Sequence, residues 1–231
     1  MARSGTCSAT GGSGGAPLGA SSSVAPTDQN RVLSALRATE VVSDPTNVMA
    51  LECASRMRER SGTPIHLVTS QRVIRAQPVP KLPGYSQHFR IFVLGSGGTE
   101  RKDHGFTVET LLLHVQTMLD ALELLERHGF CFGERSIKVF ATAAKQRLAE
   151  RLVHQLGAMA ELHPLEHPYY SGGLRFQIWV CPTQGPAVPL VDGGAFDWLA
   201  RIASNRRAVY VATGTGAQLI ALRFRSTQAA G

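Results

Sequence analysis

The chain is short of aromatic residues, of clustered charge and of long apolar runs. Aromatics make up only 6% of its 231 residues, too few for an exposed surface of rings that stacks single-stranded bases. No stretch of eighteen or more residues is apolar, so no helical membrane span is expected. The four cysteines, Cys7, Cys53, Cys131 and Cys181, lie far apart and form no C-x-x-C pair. They read as isolated thiols of a reducing, cytoplasmic compartment, not as a disulfide framework or a zinc site. The net charge is +7 with a pI near 9.7, which permits contact with nucleic acid or another polyanion. That partner is not favoured, because no run of five or more basic residues occurs. The densest group, Arg56, Arg58 and Arg60 with Glu59, reads as a solvated helix end. No Ser/His/Asp or Cys/His arrangement can be assigned.

What is present is enough apolar content, 43%, for one domain with a proper core. Residues 1–27 are rich in Ser, Gly, Ala and Thr and carry one charge, Arg3. Such a segment buries too little to offset its ordering entropy and reads as a disordered tail. It lacks a secretory signal's apolar core, although its Ser-rich, acid-poor composition is also that of an organelle transit peptide. Residues 28–225 form the single domain. A helix is expected from Asp28 through Val32, Leu33 and Leu36. A second follows Asp44-Pro45, with Asp44 as cap and Val48, Leu51, Cys53, Ala54 and Met57 on its apolar face. Thr63–Val68 and Gln71–Arg75 read as two short strands joined by a turn, and Pro78, Pro80 and Pro83 interrupt regular structure after them. His88–Leu94 reads as a strand closed by the loop Gly95–Gly98. The longest helix spans about Thr107–Arg127, with Leu111, Leu112, Val115, Met118, Leu119, Leu122 and Leu125 at helical spacing. Ile137–Ala141 reads as a strand and Ala144–Leu156 as a helix. Leu174–Cys181 and Ala187–Val191 read as strands, Phe196–Ala203 as a short helix and Ala208–Thr213 as a strand. Strand pairs interrupted by long helices suit an α+β domain on an antiparallel sheet.

Three local patterns invite chemistry. His163-Pro164-Leu165-Glu166-His167 matches H-x-x-E-H, but zinc chemistry needs both histidines on one helix face and Pro164 forbids that helix. A surface loop leading into a strand at Tyr169 is the better reading. Gly95-Ser96-Gly97-Gly98-Thr99 follows a strand yet has neither G-x-G-x-x-G nor P-loop spacing, and reads as a flexible connection. Trp179 and Trp198 both read as core.

The last quarter is more specific. It runs Tyr169-Tyr170-Ser171-Gly172, then Gly193-Gly194-Ala195-Phe196-Asp197, then Gly214-Thr215-Gly216-Ala217-Gln218-Leu219. In order and spacing this resembles the C-terminal end of the catalytic domain of histidyl-tRNA synthetases and their paralogues. Those proteins carry a Tyr-Tyr-Thr-Gly strand, a Gly-Gly-Arg-Tyr-Asp turn and a glycine-rich segment ending in Glu-Arg-Leu. The likeness extends upstream through Asp44-Pro45-Thr46, the strand to Arg75 at the motif 2 arginine, and Tyr85-Ser86-Gln87. The resemblance implies a class II synthetase-like antiparallel sheet flanked by helices, without motif 1 and without the anticodon-binding domain. It also implies a chemistry removed. Gln77, Ala195 and Gln218 stand where the active family carries the charges that grip ATP, and Gln177 replaces a further one.

These likenesses set the expectations for function. The chain is expected to be a pseudoenzyme without catalytic residues, metal or cofactor. The closest precedent is the regulatory subunit of ATP phosphoribosyltransferase in histidine biosynthesis, which acts allosterically on a short catalytic subunit. The alternative is a structural or interaction subunit of a larger assembly built on a degenerate synthetase fold. A vestigial pocket is expected from Arg75, Gln87, Tyr169, Tyr170, Ser171, Gly193, Gly194 and Gly214, open to a small ligand such as histidine. Gly194 is expected to leave room for that ligand. Val68–Arg75, Leu174–Val180 and Ala208–Thr213 are expected as neighbouring central strands. Val32, Leu36, Val41 and Val42 are expected at a contact with a second copy or the catalytic partner.

Overall fold

The computed structural model describes residues 33–35, 39–60, 62–76, 78–166 and 169–226. Its frame is a seven-stranded sheet. In chain order the elements are β1 (Ser34–Ala35), β2 (Thr39–Glu40), α1 (Pro45–Glu59), β3 (Ile65–Ile74), β4 (His88–Thr99) and α2 (Gly105–Glu126). Then come β5 (Arg135–Ala141), α3 (Gln146–Leu156), β6 (Ala160–Pro164), β7 (Leu174–Val180), β8 (Val188–Phe196), α4 (Trp198–Ile202), β9 (Ala208–Gly216) and α5 (Ala217–Arg223). The large sheet runs β3-β4-β9-β8-β7-β5-β6, and β1 pairs only with β2. Every neighbouring pair is antiparallel except β5 and β6. This is the expected α+β class with one parallel edge pair.

Both faces of the sheet are covered. Leu111, Val115 and Met118 of α2 and Leu148 and Leu152 of α3 pack on Leu94, Val139, Phe176 and Val211. On the opposite face Met49, Ala50 and Cys53 of α1 and Trp198 and Leu199 of α4 pack on Leu67, Val93 and Tyr210. Helix α1 starts as its sequence dictates. Asp44 is extended, its carboxylate accepts from the Thr46 N–H at 3.0 Å, and Pro45 opens the first turn; such a cap contributes about 1 kcal/mol. The buried face of α1 is Met49, Ala50, Cys53 and Ala54, while Val48 and Leu51 are half-buried.

Several expected boundaries move. The helix expected over Asp28–Leu36 falls largely outside the described residues, and where it is described Ser34–Ala35 is a strand. Val32 and Leu36 of the expected contact lie outside the described residues, and Val41 and Val42 are half-buried. The two short strands expected between Thr63 and Arg75 are one ten-residue strand, β3. It lies at the sheet edge, so at the expected turn Thr69 is buried and Ser70 is an outward strand position. β3, β7 and β9 are consequently not three neighbours: β4 separates β3 from β9, and β8 separates β9 from β7. Gly95–Gly98 is not a loop. Strand β4 continues through it, and a Cβ at Gly98 would lie 2.5 Å from the Phe106 ring. The missing side chain lets the start of α2 sit directly on the sheet. Tyr169–Gly173 is a turn between β6 and β7, not a strand. His163 and Pro164 belong to edge strand β6, and His167 lies outside the described residues. Of the tryptophans only Trp198 is core, at 1% exposure; Trp179 is half-buried under the Lys138 ammonium.

Candidate functional site

A cleft of about 690 Å³ opens where the start of α1, the end of β3 and the Tyr169–Tyr170 turn meet the strands β4, β9, β8 and β7. That size suits a small ligand. Two carboxylates organise its polar lining. Asp44 accepts from the Thr46 hydroxyl at 2.8 Å and from the Tyr169 hydroxyl at 3.0 Å, and its other neighbour is the Arg75 guanidinium at 3.6 Å. Arg75 also donates to the Ser43 carbonyl and lies over the Phe89 ring. Asp192, on β8, takes both ends of the Arg175 guanidinium at 3.0 and 2.6 Å. It also accepts from the Tyr170 hydroxyl at 2.5 Å and from the Gln177 amide at 3.3 Å.

The electrostatics follow from these contacts. Burial, reinforced by the negative charge of Asp44, pushes the Tyr169 hydroxyl well above the usual phenol range. Burial and Asp192 do the same to Tyr170. Both phenols therefore stay protonated and donate. Burial works against the Arg175 charge, but the hydrogen bond and charge of Asp192 outweigh it and raise the guanidinium further. Replacing Asp192 with alanine removes the acceptor shared by Arg175, Tyr170 and Gln177. The Asp192 side chain is 37% exposed, so solvent screens part of the pair. The expected loss is about 2 kcal/mol, below the range for fully buried pairs, read as a lower midpoint in urea unfolding. The Asp192→Asn variant, which keeps an acceptor, is expected to lose less.

Of the residues singled out from sequence, Arg75, Tyr169, Tyr170, Gly193 and Gly214 line the cleft. Gln87 is exposed outside the lining, and its carbonyl accepts from the Arg75 N–H. Ser171 is also exposed outside it, and its hydroxyl accepts from the Asp197 N–H. Gly194 leaves no room for a ligand. A Cβ there would lie 2.4 Å from the Leu174 carbonyl and 2.5 Å from the Tyr170 ring. Its absent side chain is what allows Tyr170 to lie against the sheet. Sequence reasoning missed Asp44 as a cleft carboxylate, and it missed Thr46, Arg175 and Asp192. Asp44 carried only a helix-cap signal, and the Arg175–Asp192 pair is visible only once β7 and β8 are in register.

The substituted positions have local roles of their own. Gln177 bridges Asp192 and the Trp179 indole N–H. The Gln218 carbonyl oxygen accepts from the Arg90 N–H at 2.7 Å and ties α5 to β4. Ala195 is buried in the core under α2 and α3. Gln77 lies outside the described residues. Among the described residues no group of three or more His, Cys, Asp or Glu side chains has the arrangement of a metal site. No helix among them is long and apolar enough to cross a membrane.

No family model matches the chain, and no curated protein sequence does. Solved structures do. The apo histidyl-tRNA synthetase of S. aureus superposes with a TM-score of 0.55 at 12% identity, over 82% of this chain and 54% of that one. An ATP phosphoribosyltransferase regulatory subunit/histidyl-tRNA synthetase from Bacillus halodurans C gives 0.56 at 15%, over 84% and 68%. The RNA-binding domain of threonyl-tRNA synthetase from Cryptosporidium parvum Iowa II gives 0.59 at 13%, over 84% and 52%. The chain thus spans about half the length of the S. aureus enzyme (54%). At these identities the shared property is the architecture: this chain has a histidyl-tRNA synthetase-like class II fold.

Proposed function

We infer that this chain is a binding subunit on a synthetase-like scaffold, most closely the regulatory subunit of a short ATP phosphoribosyltransferase. The observation that carries this reading is the fate of the substituted residues. Gln177 and Gln218 are engaged with neighbouring groups of the fold, and Ala195 is sealed in the core. Adenylate chemistry depends on preorganised charges aimed at the transferring phosphate. Here Asp192 and Arg175 are committed to each other, and Asp44 holds Tyr169 and Arg75. A cleft of this composition can still recognise a small zwitterion: a carboxylate meets Arg75, and an ammonium meets Asp44. Histidine, the end product of the route that a short phosphoribosyltransferase opens, is the ligand proposed. The structural match to a protein described as such a regulatory subunit supports the assignment.

The test combines two assays. Pyrophosphate exchange with ATP and each amino acid is expected to stay at background; histidine-dependent exchange would reverse the reading. Mixed with a short phosphoribosyltransferase catalytic subunit, the chain is expected to raise transfer activity and make it sensitive to histidine. Stable association without any effect on rate would instead support a structural subunit.

A further inference from the structure

A buried polar line lies under α2, on the sheet face away from α1. His66 of β3, Ser96 of β4, His114 of α2 and Thr213 of β9 are joined end to end. His66 Nδ1 lies 2.8 Å from the Ser96 hydroxyl, which lies 2.8 Å from His114 Nε2. His114 Nδ1 lies 3.0 Å from the Thr213 hydroxyl. Ser96 and Thr213 are each 1% exposed and His114 is 3% exposed, while His66 reaches solvent. At one end His66 lines a cleft of about 550 Å³ at the α2 start; the other end, the Thr213 hydroxyl, is closed in under α2.

The donor inventory allows two arrangements of this line. In the first, Thr213 donates to His114 Nδ1, His114 donates from Nε2 to Ser96, and Ser96 donates to His66 Nδ1. Every buried proton then has an acceptor, so this is the ground state while His66 is neutral. A protonated His66 carries N–H on both nitrogens, and its Nδ1 must donate. Ser96 then turns and donates to His114 Nε2, and His114 must carry its proton on Nδ1, facing Thr213. We propose that His66, Ser96, His114 and Thr213 form a two-state relay in which protonation of the surface imidazole reverses the donor at every link. His66 takes up one proton from solvent, and His114 gives up its Nε2 proton and regains one on Nδ1 by exchange with water during local opening. His114 thus changes tautomer without gaining charge, and Thr213 changes from donor to acceptor.

The surroundings suit a neutral relay. Burial, then the neighbouring His66, lowers the His114 imidazole to about 3. The charged groups facing His66 are those of its own cleft. Glu100 and Arg101 follow β4, Glu109 belongs to α2, and Arg207 precedes β9. Glu100 is taken up by the Thr107 hydroxyl and the first N–H groups of α2. Arg101 and Glu109 pair with each other, and Arg207 donates to the Glu100 carbonyl. Gly193 makes room for the far end, since a Cβ there would lie 2.4 Å from the Thr213 hydroxyl oxygen.

The experiment is long-range proton–nitrogen NMR of the full-length, isotope-labelled chain through the titration of His66. Above that titration His114 is expected to hold its proton on Nε2, below it on Nδ1, with the crossover at the His66 midpoint. In Ser96→Ala the His114 tautomer is expected to stop following His66. Should that variant fail to fold, His66→Gln on the surface serves instead and is expected to abolish the crossover. The proposal falls if His114 keeps one tautomer while His66 titrates. It falls equally if the crossover survives in these variants, or if the domain unfolds before His66 takes its proton.

Discussion

A Gly194→Ala variant is expected to fold less stably by about 3 kcal/mol, the upper part of the range for overpacked cores. For a domain of this size that is roughly 6–12 °C in melting temperature. The added carbon would fall 2.4 Å from the Leu174 carbonyl oxygen, a backbone atom of β7 that cannot turn aside. Its other neighbour, the Tyr170 ring, is held by Asp192 and the Arg175 guanidinium. Relief therefore has to separate β8 from β7 or expel Tyr170, and either loosens the cleft. Gly216→Ala is the control. A Cβ there meets only the Phe89 ring at 3.9 Å, so its melting temperature is expected to stay near that of the parent. Equal melting of both variants and the parent would show that the close approach at Gly194 does not constrain the fold.

The second large effect is on acid stability. His114 titrates ordinarily near 6.5 when unfolded and only at about 3 in the folded chain, chiefly because of burial. Below the unfolded value the unfolded chain takes up a proton that the folded chain refuses. Stability is thus full above 6.5 and is lost as pH falls toward about 3. Between about pH 7.5 and about pH 4.5 this residue alone is expected to remove about 3 kcal/mol. His66 is also lowered by burial and adds a loss of the same sign. Urea unfolding at the two pH values measures the total. A His114→Gln variant starts less stable at neutral pH but is expected to show a flatter dependence on pH. A slope equal to the parent's would place the acid sensitivity elsewhere.

Much of the architecture was legible where one local rule acts alone. Asp44-Pro45 fixes the start of α1, and the Leu111–Leu122 stripe fixes the buried face of α2. Errors arose where tertiary contacts overrule a local signal. Glycine usually punctuates, so Gly95–Gly98 read as a loop; here the glycines lie within β4 because Met49 and Cys53 of α1, Leu199 of α4 and Phe106 of α2 lie directly against it. Thr69-Ser70 read as a turn because edge strand β3 shows polar residues such as Ser70 to solvent. The tyrosine pair lies beside a cleft, but the carboxylates that organise it were not seen in the sequence, since partners such as Arg175 and Tyr169 are 17 and 125 residues away from them. The His66–Ser96–His114–Thr213 line has no sequence signature at all. Its last link joins residues 99 positions apart.

The position of β9 bears on how the chain is made. Of the seven strands it is the last to leave the ribosome, yet it lies between β4 and β8. Until Ala208–Gly216 emerges, the nascent protein holds two half-sheets, β3-β4 and β8-β7-β5-β6, each with a bare inner edge. Such edges pair readily with other chains. Any pause that delays the emergence of Ala208–Gly216 would prolong that exposed interval.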